Sequence, residues 1–388
     1  MRQKYLLIAL LFVALGFNSC SKDDEYLNIS EDEYSTQKKT GPQPEAAIKL
    51  DLSQVPLPKL SDYRFFTGAL KDQKPNYLVI PYKPASDLFS DYAHKKRFVW
   101  MPKGTHATYV SDDNIFVFPV GTVFIKTFYY DNVQPGNVTK IIETRLLIKK
   151  YEATENDSGW KLYDYVWNEE QTEAYLDTEG NGIFVPITFT ENNVTRSINY
   201  KIPASTECAT CHKLNPTQSE NGEIAIPIGP KPQNLNTMFN YGTYTKNQLT
   251  RWKAAGYLDN SLPSLASINS TVDWRDTSQP LEKRVRSYVD INCAHCHRLG
   301  GHCDYVPMRF NYSNPNLAQF GVCMVPTAQI DGGPFVINGG RADQSEMIIR
   351  MGSTEESVMM PIIGRTIVHE EGVQLISDWI NSLSTECN

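Results

Sequence analysis

Two short segments carry most of the chemistry this sequence can offer. Cys208-Ala209-Thr210-Cys211-His212 and Cys293-Ala294-His295-Cys296-His297 both read C-x-x-C-H. In that pattern two thiols add across the two vinyl groups of a haem, and the histidine that follows supplies a proximal nitrogen to the iron. Each segment predicts one covalently attached haem c. Cys208, Cys211, Cys293 and Cys296 are the attachment points, and His212 and His297 are the iron ligands. A zinc ribbon would set its paired cysteines about 15–20 residues apart, whereas about 80 residues separate these two pairs. A thioredoxin-like redox pair has no use for the following histidine. His295 occupies a variable position inside its motif and reads as a solvated or hydrogen-bonding side chain.

An electron-transfer haem needs a second axial ligand, usually Met or His. Val358-Met359-Met360-Pro361 offers one, because a proline holds the residue before it extended and helps present a thioether. Met360 is the expected ligand of the second haem, with Met359 as alternate and plain core packing as the bland reading. Met238 is the candidate for the first haem. It lacks a following proline, and His94, His106, Met101, His302 or an open position compete with it. Cys303 and Cys323, 20 residues apart, are expected to pair, closing a loop worth about 3 kcal/mol; Cys387 competes for either partner.

Positioning these residues requires helices near the motifs. Gly372, Val373, Leu375, Ile376, Trp379, Ile380 and Leu383 recur at helical spacing and predict a terminal helix with one buried face. Residues 247–257, with Leu249 and Trp252, predict a shorter one. The carbonyls of Ile228-Gly229-Pro230 are expected to accept the Nδ1 proton of the proximal histidine, fixing its ring. Residues 48–205 differ. Stretches at 116–128, 141–151, 160–167 and 183–202 are rich in β-formers, and turn residues such as Pro135-Gly136 and Asn181-Gly182 separate them. The expected fold class is α+β: an antiparallel β-sandwich or barrel over 48–205, then two mainly α-helical cytochrome c-like modules at 206–265 and 266–388.

The N-terminus reads as an address. Arg2 and Lys4 precede an apolar run from Tyr5 to Phe17, too short to span a bilayer and typical of a signal peptide over 1–19. Phe17-Asn18-Ser19-Cys20 resembles a bacterial lipobox, making Cys20 the expected lipidation site; ordinary cleavage leaving a free thiol is the alternative. Residues 20–47 read as a lipidated cysteine and a polar tether, opening with the acidic Asp23-Asp24-Glu25. The expected location is the outer membrane of a bacterial envelope, on its periplasmic or surface side, reached through the lipid. The formal net charge of -7 argues against a nucleic-acid partner.

The ordered set Phe-Pro-Val-Gly-Thr-Val (118–123), Glu-Thr-Arg-Leu-Leu (143–147), Trp-Asn-Glu-Glu-Gln (167–171), the two C-x-x-C-H motifs, Ser-Glu-Met-Ile-Ile-Arg (345–350) and Met-Met-Pro-Ile-Ile-Gly-Arg (359–365) resembles a family of exported di-haem c-type cytochromes. The likeness covers about residues 60–385. It implies two haem groups, redox partner proteins in the envelope and, for some members, a parallel β-helix-repeat protein as partner. The stretch 118–128 with Trp160 also resembles cytochrome P460, in which a β-sheet domain carries a haem with an open site; the cross-linking lysine of that family has no assigned counterpart here. The expected function is single-electron transfer by a lipid-anchored di-haem protein. The rivals are a peroxidase-like or P460-like haem oxidoreductase with an open site at the first haem, and a surface binding module with redox-active haems.

Overall fold

β-Branched and aromatic residues dominate the front half, and they assemble into one antiparallel sheet of eight strands. In this computed structural model, residues 48–154, 157–215, 224–330, 332–385 and 387 are described. The stretches read as a signal peptide, a lipidation site at Cys20 and a tether lie outside those residues. The strands are β1 (Ile80–Pro81), β2 (His94–Trp100), β3 (Val123–Val133), β4 (Val138–Lys149), β5 (Trp160–Trp167), β6 (Ala174–Leu176), β7 (Ile183–Glu191) and β8 (Val194–Ile202). β3 is the pivot. One edge pairs with β4, which continues through β5 to β6. The other edge meets β2 over Val123–Tyr129 and the β7–β8 hairpin at Val133.

The six α-helices among the described residues are short: α1 (Ser205–His212), α2 (Pro232–Leu235), α3 (Gln248–Ala254), α4 (Leu281–Asn292), α5 (Glu346–Met351) and α6 (Glu370–Ser382). Strand makes up 26% of the structure and helix 19%. This overturns the expectation of a sandwich or barrel followed by two mainly helical modules. The front β region is one continuous sheet, and part of its cover comes from α3 and the loops around it. Leu235, Phe239, Leu249, Trp252 and Leu258, from beyond the first motif, join the same core as Phe98, Phe124, Leu146 and Trp160 of the sheet. The segment expected to be a first helical module is therefore packing material for the sheet. Around the second motif, the described residues of 298–341 form turns, bends and isolated bridges and no α-helix. Gly300, Gly301, Pro307, Pro315, Pro326, Gly332, Gly333 and Pro334 punctuate that stretch, and such residues break the helical hydrogen-bond ladder.

A second core holds the C-terminal part together. It joins Val285, Tyr288 and Val289 of α4, Met347 and Met351 of α5, and Leu375, Ile376, Trp379 and Ile380 of α6, with Phe310 and Phe320 between them. The terminal helix expected from the 372–383 spacing is α6, and its apolar stripe is buried. A disulfide joins Cys323 to Cys387 across 64 residues. The expected Cys303–Cys323 pairing is thus not formed; Cys303 is a buried free thiol beside Cys296.

Candidate functional site

The first motif lies on α1, which starts immediately after strand β8 and so sits at the end of the sheet. Glu207 closes the start of this helix by accepting from the Ala204 amide at 2.8 Å and pairing with Lys201. The His212 Nδ1–H donates to the carbonyl of Ile226 at 2.7 Å, leaving Nε2 as the nitrogen available to an iron. The expected second contact of the proximal ring therefore exists, but its acceptor lies two residues before the Ile228-Gly229-Pro230 stretch. Burial pushes the His212 pKa down to about 4, so the ring is neutral, the form a metal ligand requires.

Cys208 and His212 open onto a cleft between α1 and the sheet. Its sheet wall mixes apolar and charged side chains. Arg145 and Asp164 face it, and Arg145 forms a fork with the fully buried Glu143 at 2.5 and 2.8 Å. Tyr200 donates a further hydrogen bond to Glu143 at 2.6 Å. Burial, reinforced by the neighbouring Glu143 charge, raises the Asp164 carboxyl well above its ordinary range. Among the residues lining this cleft, His212 is the sole imidazole or thioether. Met238, the expected sixth ligand, is 61% exposed on a two-stranded ribbon and lines neither cleft. Its rivals are elsewhere too. Met101 is buried in the front core, His94 faces Glu191, and His106 is hydrogen-bonded to the Gly256 carbonyl at 2.6 Å. His302 lines neither cleft.

The second motif follows the C-terminus of α4. Cys293, Cys296 and His297 line a second cleft with mostly apolar walls. Met360 lines the same cleft, whereas Met359 does not. Three further thioethers, Met308, Met347 and Met351, also face it, and nothing in their local sequence marks them out from core methionines. Burial lowers the His297 pKa to about 4, with the neighbouring His295 adding to the shift. Among the described residues His297 Nδ1 is buried without a hydrogen-bond partner, unlike its counterpart in His212.

The two motifs meet. Sγ of Cys211, Sγ of Cys296 and a ring nitrogen of His295 lie within 4.8 Å of one another. The Cys296 thiol also points at the Thr210 carbonyl at 3.4 Å, and Asn215 donates its amide to the Gly300 carbonyl at 2.6 Å. Cys211 is held well below the ordinary thiol range, chiefly because Cys296 donates to it. Cys296 has a single S–H, which cannot serve Thr210, Cys211 and Cys303 together. Sequence spacing gave no sign of this contact, since 85 residues separate Cys211 from Cys296.

No family model, curated protein or solved structure matches this chain. The site must be judged on its own residues. At the second motif both thiols, the histidine and Met360 line one mostly apolar cleft, a donor set and lining that would fit a covalently attached haem. At the first motif the fit is partial. Cys208 and His212 share the sheet-side cleft, while Cys211 lines the other one. Attachment of a group through both thiols there requires the Cys211 side chain to turn toward Cys208.

Proposed function

We propose that this chain is an exported, lipid-anchored c-type protein that carries two haems and passes single electrons between partners in the cell envelope. The observation that supports this reading best is the meeting of two C-x-x-C-H motifs at Cys211 and Cys296, with Cys208 and His212 beside one cleft and Cys211, Cys293, Cys296 and His297 beside another. Groups attached through these two motifs would be held near one another, as electron exchange requires. A bound haem supplies reversible one-electron chemistry. The protein's part is to hold and insulate. His212 is oriented by the Ile226 carbonyl, His297 and Met360 face a common cleft, and Phe310 and Ile363 help keep water from it.

Total iron and a pyridine haemochrome assay on protein from its native host test the reading. Two haems per chain are expected. In addition, Met360→Ala should lower one of two midpoint potentials and abolish a sulfur-to-iron absorption band. A colourless protein would overturn the proposal.

A second reading has one observation in its favour. Cys211, Cys296 and His295 present two thiols and an imidazole close enough to share a single soft metal ion, with a fourth position open. Stoichiometric zinc that is lost in a Cys211→Ser variant, with no haem present, would favour that centre instead.

A further inference from the structure

The loop that carries Met360 is held both by neighbouring chain and by the front sheet. The Met360 amide donates to the Arg350 carbonyl at 3.0 Å, at the end of α5. Its carbonyl accepts from Arg365 Nη2 at 2.9 Å, and the same nitrogen reaches the carbonyls of Ser353 and Arg350 at 2.8 and 3.2 Å. Both backbone polar groups of Met360 are thereby fixed, and Arg365 is only 7% exposed. The next link is Asp91, a buried residue of the front unit. Its carboxylate accepts from the amides of Thr366 and Ile367 at 2.6 and 3.1 Å and from the Thr366 hydroxyl at 2.9 Å. Asp91 is in turn tied to the sheet, because Tyr130 on β3 donates its hydroxyl to the Asp91 carbonyl at 2.9 Å.

We infer that Arg365 and Asp91 are positioning residues for Met360, so that the front sheet, through Tyr130 and Asp91, sets how firmly the thioether is offered to the second cleft. This rests on the reading of Met360 as the ligand of a haem held by Cys293, Cys296 and His297. The physical basis is pre-organisation. A thioether is a weak ligand, and its occupancy depends on how little the chain must be ordered to place it. Arg365 also satisfies carbonyls at the C-terminal end of α5. A purely structural role would therefore change stability and leave ligand competition unaltered.

The test uses the haem-loaded full chain. Met360→Ala, Arg365→Met and Asp91→Ala are titrated with imidazole while the sulfur-to-iron band and the midpoint potentials are followed. Arg365→Met and Asp91→Ala should keep the band but lose it at imidazole concentrations at least tenfold below those the unaltered protein needs. The spectrum of the first haem should not move. Thr366→Val, which removes one Asp91 contact and keeps the rest, should fall between, and it serves if either stronger variant fails to fold. Unchanged imidazole competition in the folded variants, alongside a lost band in Met360→Ala, would overturn the inference and leave the ligand assignment standing. A band that survives Met360→Ala would overturn the ligand assignment itself.

Discussion

Single buried residues do much of the joining in this protein, and Asp290 is the clearest case. It lies on α4 just before the second motif, with its carboxylate fully buried. Lys231, from the chain after the first motif, pairs with it at 3.0 and 3.1 Å; Gln233 and the Tyr312 amide complete its contacts at 3.3 and 3.1 Å. Removing one partner of such a pair leaves an uncompensated buried charge, which costs on the order of 3–5 kcal/mol. Lys231→Met should lower the denaturation midpoint accordingly, and Lys231→Met with Asp290→Leu should recover part of the loss; chemical unfolding of both variants checks it. The residue scale is also where the sequence was most informative. The C-x-x-C-H motifs are legible because the pattern lies within five consecutive residues. The Ile226 acceptor, the Cys323–Cys387 bond and the approach of Cys211 to Cys296 depend on where distant chain returns, and no local spacing encodes that.

At the scale of elements, the longer strands were partly legible and their assembly was not. The β-former stretches overlapped β3, β4 and β5 and ran through β7 and β8 without marking the turn at Asn192–Asn193, they missed β1, β2 and β6, and the spacing at 372–383 located α6. A strand's composition does not tell whether its buried face meets another sheet or loose chain. Here Trp252 and Leu249 do the covering, although they read as part of a separate helical unit. The close approach of the α1 end to the turn after the second motif leaves its own mark in Gly300. That residue has φ +74°, and a Cβ there would collide with the Asn215 carbonyl oxygen. Gly300→Ala should cost roughly 1–3 kcal/mol by strain and displacement. It should also slow electron exchange between the two centres, measured by rapid photoreduction of one and reoxidation through the other. An unchanged exchange rate in a destabilised but folded variant would show that this junction does not set the separation.

For the whole molecule, the front sheet and the C-terminal core are joined around His369. Its ring stacks on Phe89 at 4.1 Å between centroids, lies edge-on to Tyr92 and Trp274, and shares a 2.8 Å hydrogen bond with Tyr288. Tyr92 adds a bond to Glu371 at 2.6 Å. Burial lowers the His369 pKa from the ordinary 6.5 to about 4. Between those values the unfolded chain binds a proton that the folded one refuses. The contribution is therefore complete above about pH 6.5 and declines as pH falls toward 4, by at most about 3 kcal/mol. His369→Gln should flatten that part of the stability–pH curve, as read by thermal melts from pH 7 to pH 4. An identical slope in the variant would place the titrating group elsewhere.

The bond between Cys323 and Cys387 has a topological effect on the loop that presents Met360. It closes a covalent ring that includes α5, α6 and the exposed turn at Thr354–Ser357. A protease that cut that turn would open the ring without parting the molecule, since the two pieces would remain tethered through sulfur until a reductant released them.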